Sequence, residues 1–454
     1  MNLDLKCLAV DLPEDIKRLE YYGDFDGTLR VINKRLQKNL PIALRKRLEL
    51  EKEIIKVLPT EYPYSLEAAS EILNKELKGF KRSELLELKD QNVADWIYVN
   101  GEIRFKNNFF ANIVKTQPAF AARLKNPALA QDRKKNFELL NSVISDMKTK
   151  GNLTYRIHMR TTLKIKKESE RVGEPVKVHL PIPTVGFQAK NVKILSVLPE
   201  PAVIAPENYP QRTVCFEGPL LSDQEFLTEY EYENHMVYVD PKPENVEDTQ
   251  PDFYTQELLP HIMFTPYIRE LTAEVLGGEK NPLAKARKIY DFITTKITYS
   301  YVRPYLTITN IAEYAAVGLK GDCGVQALLF ITMCRCAGVP AKWQSGLYVT
   351  PLSVGNHDWA QFYLAPYGWL FADCSFGGSA YRIGEEEHWN FYFGNLDPFR
   401  MPANSDFQCE FYPRKKFLRN DPYDNQSGEA EYENRGLSSL EYRTDHILVA
   451  MKEI

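Results

Sequence analysis

KGDCGVQALLFITMCRCAGVPAKWQSG, residues 320–346, is the stretch whose reading decides the fold. Behind Cys323 the run VQALLFITMCRCAG is apolar nearly all round, the pattern of a helix buried on every side rather than one lying on a surface. Gly338-Val339-Pro340 ends it, and AKWQSGLYV follows as a strand. Two more strand-like runs come next, HDWAQFYL and GWLFADCSF, the latter pair separated by the turn residues Ala365-Pro366-Tyr367-Gly368. The turn residues predict that the last two runs pair as an antiparallel hairpin.

Three residues on these elements suit nucleophilic chemistry. A thiol acts as a nucleophile only as thiolate, and a helix N-terminus or a nearby imidazolium lowers its pKa from about 8.5. Cys323 sits where the helix begins, with Gly321 and Gly324 leaving room for a turn and for a substrate backbone. His357 opens one strand and can serve as base; Asp373 ends the next and can orient the imidazole. A symmetric hairpin would set Asp373 opposite Ala360, about 10 Å along the strand from His357. The pair is expected to meet only through an asymmetric turn or a bulge. The Cys323 backbone N–H is one oxyanion donor, and Tyr301 or Tyr299 on ITYSYV is a candidate for a second. Trp359 and Trp343 are candidate walls of a substrate groove, against the plainer reading that they are core residues.

These blocks resemble the transglutaminase-like superfamily. GDCGVQALLFITMCRCAGVPAKWQSG is similar to its Gly-x-Cys helix followed by Arg and Gly-Val-Pro-Ala with a basic residue; NHDWAQFY is similar to its His-x-Trp strand, and GWLFADCS to its Trp-x-x-x-Asp strand. The resemblance spans about residues 265–380. It implies an α+β, papain-like core, a helix packed on an antiparallel sheet, with Cys323 as nucleophile, His357 as base and then acid, and Asp373 orienting the ring. Gly324 stands where tissue transglutaminases have an aromatic residue, which argues against calcium-dependent crosslinking. Asp358 stands where a small residue is commoner; strand alternation turns it away from His357, and it is assigned a structural role.

Outward from the core, residues 1–150 read as a mainly helical domain. Pro41 opens a helix with a stripe of Leu44, Leu48, Ile55 and Leu58; Asn100-Gly101 marks a hairpin; Asn126-Pro127 looks like a cap plus first-turn proline; and Gly151 is a stop. No chemistry is visible there. Residues 151–245 alternate with period two and suggest a β-sandwich-like domain. DPKPENVEDTQPD (240–252) is a linker, and 253–454 forms the catalytic domain with a C-terminal extension. In that extension 411–436 reads as irregular chain over a surface, with Arg414-Lys415-Lys416 as a solvated run.

Composition narrows the function classes. With 57 basic against 61 acidic residues there is no charge bias toward nucleic acid. No apolar run is long enough for a membrane span and no signal peptide is visible, so the expected location is cytoplasmic unless a leader was removed. Seven scattered cysteines fit free thiols in a reducing compartment. The seven histidines lack ligand spacing, so no metal and no cofactor is expected. The combined expectation is a cysteine-dependent amide hydrolase working through a thioester on a peptide or protein substrate. The alternatives are a protein-glutamine acyltransferase and a catalytically silent binding or scaffold protein. Oligomeric state is left open.

Overall fold

The computed structural model describes residues 5–126 and 128–454, with backbone alone over 128–134; the expected cap at Asn126-Pro127 falls partly outside that range. The helix Cys323–Cys336 is buried along its length: Leu328, Leu329, Phe330 and Ile331 are all fully enclosed. Each such side chain contributes roughly 1.5–3 kcal/mol of burial, so the shaft is anchored and its first turn is held in place. It lies against a five-stranded antiparallel sheet with the spatial order 393–394, 368–372, 354–364, 341–349, 400–404. Helices Pro266–Leu276, Pro282–Lys296 and Ile311–Gly318 cover its other sides. Asn281 accepts from the N–H groups of Leu283 and Ala284, and Gly277 ends its helix at φ 57°, the start and stop chemistry expected of these segments.

The architecture is α+β, a helix-on-sheet core with additional helical and β-sandwich regions. In the helical region Pro41 precedes the helix Ile42–Val57, whose Leu48 and Ile55 are buried. Asn100 and Gly101 both take positive φ (51° and 77°) in the hairpin between Trp96–Val99 and Glu102–Phe105. That is the geometry that a two-residue turn compatible with strand twist requires. Gly151, at φ 79°, ends the helix Ala128–Lys150.

The sandwich has two four-stranded sheets. One runs in the order 442–453, 152–165, 225–237, 189–198; the other 429–432, 175–181, 213–219, 202–204. One strand of each sheet, Glu429–Tyr432 and Tyr442–Glu453, comes from the chain's C-terminal part, so the sandwich is not confined to 151–245. The C-terminal extension completes it. The basic run is not simply solvated either: Lys415 is buried and pairs with Glu429 at 2.6 Å.

Candidate active site

A short parallel bridge, Thr298–Tyr299 with Lys320–Gly321, delivers the chain to the helix start. Asp322 is the N-cap and accepts from the N–H of Val325 at 3.1 Å; Cys323 is the first helical residue. Gly324 is required by space. A Cβ there would lie 2.2 Å from the Tyr305 hydroxyl, 2.8 Å from Asp358 Oδ2 and 2.9 Å from the Trp343 ring. The aromatic residue that tissue transglutaminases place at this position has no room because Tyr305 and Trp343 already fill it.

His357 and Asp373 meet. His357 Nε2 lies 2.7 Å from Asp373 Oδ2, and the reason is register. A three-residue loop, Ala365–Tyr367, pairs Leu364 with Gly368 and Ala360 with Ala372. Asp373 therefore arrives level with Trp359, one residue closer to His357 than a symmetric reversal would give. His357 and Trp359 share a sheet face, so the contact is a diagonal one within reach of both side chains; no bulge interrupts this pairing. The other carboxylate oxygen of Asp373 caps the helix Cys374–Arg382, accepting from the N–H of Phe376 at 3.0 Å and the hydroxyl of Ser375 at 3.1 Å.

Arg400, which the sequence reading did not identify, donates to Asp373 Oδ2 at 2.9 Å and lies 3.2 Å from Asp397. Arg400, Asp373 and Asp397 are fully buried. Burial alone would raise the Asp373 pKa, but His357 and Arg400 outweigh it and hold the carboxyl down at about 2. Burial lowers the His357 pKa against the pull of Asp373. With Nε2 engaged by Asp373, Nδ1 is the ring atom left for another partner.

The sulfur's hydrogen-bond partner in this structure is Asp358, not His357: Sγ lies 3.2 Å from Asp358 Oδ2. Alternation does turn Asp358 away from His357, and that direction points it at the helix, where it meets the thiol. Its role is thus more than structural. Burial first, then the Asp358 and Asp322 carboxylates, push the Cys323 thiol well above its usual range. This arrangement opposes a thiolate at Cys323. Asp358 itself is pushed up to about 7 by burial and by Asp322. Gln426 donates to Asp358 Oδ1 and to the His357 carbonyl (3.1 Å), and Asp424 shares a hydrogen bond with Asp358. These contacts come from the segment read as irregular surface chain.

The other candidates fall in two groups. Trp343 and Trp359 are core side chains rather than walls of an open groove, 1% and 0% exposed, with indole N–H groups donating to Ser345 Oγ (2.9 Å) and Gln344 Oε1 (2.7 Å). Tyr299 lies close enough to Cys323 to feel its charge and stacks edge-on against Tyr301 at 5.8 Å. Lys115, from the helical region, sits 3.8 Å over the Tyr299 ring and 5.0 Å over Tyr301. Its charge favours the thiolate of Cys323. The tyrosine that touches the turn before Cys323 is Tyr305, whose hydroxyl donates to Asp322 Oδ1 at 2.6 Å.

Residues 269–374 match the profile of the Transglutaminase-like superfamily. An uncharacterized protein of Haemophilus influenzae is 28% identical over 212 residues, which is 39% of this chain and 56% of that protein, so the match spans about half the relative's length. A proposed cysteine protease from Cytophaga hutchinsonii superposes with TM-score 0.40 at 14% identity, covering 66% of this chain and 91% of that one. The periplasmic domain of TgpA from Pseudomonas aeruginosa gives TM-score 0.29 at 13% identity, covering 54% of this chain and 95% of that domain. Residues 269–374, which carry the Cys323 helix, the His357 strand and Asp373, thus form a transglutaminase-like core within the chain.

Proposed function

We propose that the protein is a cysteine-dependent amide hydrolase acting on peptide or isopeptide bonds through a Cys323 thioester. The observation that carries the reading is the buried His357–Asp373–Arg400 chain, an imidazole oriented by a carboxylate whose charge is itself secured, next to the strand position that faces a helix-N-terminal cysteine. For turnover Sγ leaves Asp358 and passes its proton to His357 Nδ1. The thiolate attacks the carbonyl carbon, and the developing oxyanion takes the Cys323 N–H, which as a first-turn donor has no acceptor within the helix. His357 then protonates the leaving amine, and the acyl group leaves Cys323 when water attacks with the same imidazole as base. An amine in place of water would make the reaction an acyl transfer.

The Asp358 contact favours one rival, a superfamily member that binds a partner without turnover. Alkylation by a chloroacetyl peptide amide, followed by peptide mapping, separates the two. The hydrolase reading expects Cys323 to be modified faster than the half-buried Cys336 and Cys409, and expects His357→Ala to remove that advantage. Equal rates at the three thiols, unaltered by His357→Ala, would leave the silent-scaffold reading in possession.

A further inference from the structure

A cavity of about 630 Å³ opens between the N-terminal helices and the loop that leads into the core, and none of Cys323, His357 or Asp373 lines it. Its size is that of a small-molecule site, and it combines apolar walls such as Phe25 and Ile54 with a few convergent polar groups. Two of those are charged and almost wholly enclosed: Arg47 and Glu51, 2% and 4% exposed, paired one turn apart on the helix Ile42–Val57. Arg47 also donates to the Val10 carbonyl at 3.0 Å. Taking such a pair out of water gains little stability over an apolar pair of the same size, so packing alone does not explain it.

Glu20 stands against Glu51, carboxyl to carboxyl, and hydrogen bonds with it. Its Oε1 is buried without a partner; the Nε of Arg303, which also lines the cavity, is likewise buried and unpartnered. Both residues line the same cavity, and a buried polar group left without a partner is costly. We propose that this cavity binds a small zwitterion, a free amino acid or dipeptide, with its ammonium at Glu20 and Glu51, its carboxylate at Arg303 and an apolar side chain against Phe25 and Ile54. Burial and then Glu51 push the Glu20 pKa up to about 8, so near neutrality Glu20 keeps a proton. Arrival of the ammonium releases that proton to the medium, and no other bond changes.

The test is isothermal titration of the full chain carrying Cys323→Ala, which removes the thiol and leaves the cavity intact, so its outcome does not depend on hydrolysis. The probes are L-leucine, glycyl-leucine, N-acetyl-leucine and isopentylamine, each in phosphate and in Tris at neutral pH. Saturable binding of leucine or glycyl-leucine is expected, with heats that differ between the buffers as the proton is released. Binding should weaken by roughly tenfold or more for the two probes lacking one charge, and for Glu20→Gln and Arg303→Gln in chains of unaltered circular dichroism. Absence of saturable binding for both zwitterions would overturn the proposal. So would binding that the two variants leave unaltered.

Discussion

Replacing Asp358 by Asn keeps the shape around Cys323 and removes the charge that opposes its ionisation. At the 3.2 Å separation of Sγ and Oδ2, a full negative charge disfavours the thiolate by roughly 5 kcal/mol at an effective dielectric of about 20 and by about 1 kcal/mol at that of water. Asp358, with its pKa at about 7, is only partly charged near neutrality, and Cys323 is half-buried. A reduction of roughly 1–2 pKa units in the thiol is the expected consequence. Lower basicity also makes a weaker nucleophile, with a Brønsted slope of about 0.4–0.5, so about half of the tenfold-per-unit gain in thiolate survives as rate. Iodoacetamide alkylation of Cys323 near neutral pH, followed by mass spectrometry, should therefore accelerate by roughly three- to tenfold in Asp358→Asn. The half-buried Cys336 serves as internal control. An unchanged rate would mean that the carboxylate does not govern the thiol. A slower rate would mean that Asp358 takes the thiol proton itself and acts as its base.

The remaining predictions concern the supports of the site. Gly324→Ala should cost about 1–3 kcal/mol in urea unfolding, the usual penalty for overpacking, because the added carbon meets Tyr305, Asp358 and Trp343; adding Tyr305→Phe should recover part of it. Arg400→Met should cost about 3–5 kcal/mol near neutral pH by leaving Asp373 and Asp397 buried without their cation, and an unshifted unfolding midpoint would refute that account. The stability of the whole chain should fall as pH rises from the ordinary carboxylate range through about 7 and 8, because Asp358 and Glu20 keep protons in the folded state that the unfolded chain has released. Asp373 acts in the opposite sense, and its contribution is lost only as pH falls from about 4 toward 2. Melting temperatures across this range check the signs; Asp358→Asn should flatten the loss on the alkaline side.

What was legible locally was legible for physical reasons. The helix behind Cys323 could be read because a shaft enclosed on every side must be apolar on every side, and the strands because turn residues punctuate them. Register was legible only to within one residue. The loop between the His and Asp strands has three residues, one fewer than its run of four turn residues implies, and that one step turns an unreachable pair into a 2.7 Å contact. The partners that complete the site could not be read at all. Lys115 lies on the exposed-looking end of a helix about 200 residues upstream, and Asp424 and Gln426 lie in a segment without periodicity. A polar residue shows its burial only when its partner is known, and these partners are distant in sequence.

Asp358 illustrates the point from the other side. Alternation correctly turned it away from His357, yet on a strand whose far face is covered, away from one group is toward another. The strand residue beside the histidine faces the helix N-terminus, the position of the thiol. A carboxylate there raises the barrier to thiolate formation at the sulfur, against the charge of Lys115, which lowers it. His357 lies on the other face of the same strand, so the proposed hydrolysis requires Cys323 Sγ to leave Asp358 for a second position. A substrate that draws the sulfur from Asp358 toward His357 would thereby create its own nucleophile, and alkylation by a substrate-like peptide should then outpace iodoacetamide at Cys323 by more than it does at Cys336. If the two reagents show the same ratio at both thiols, the switch of partner does not occur.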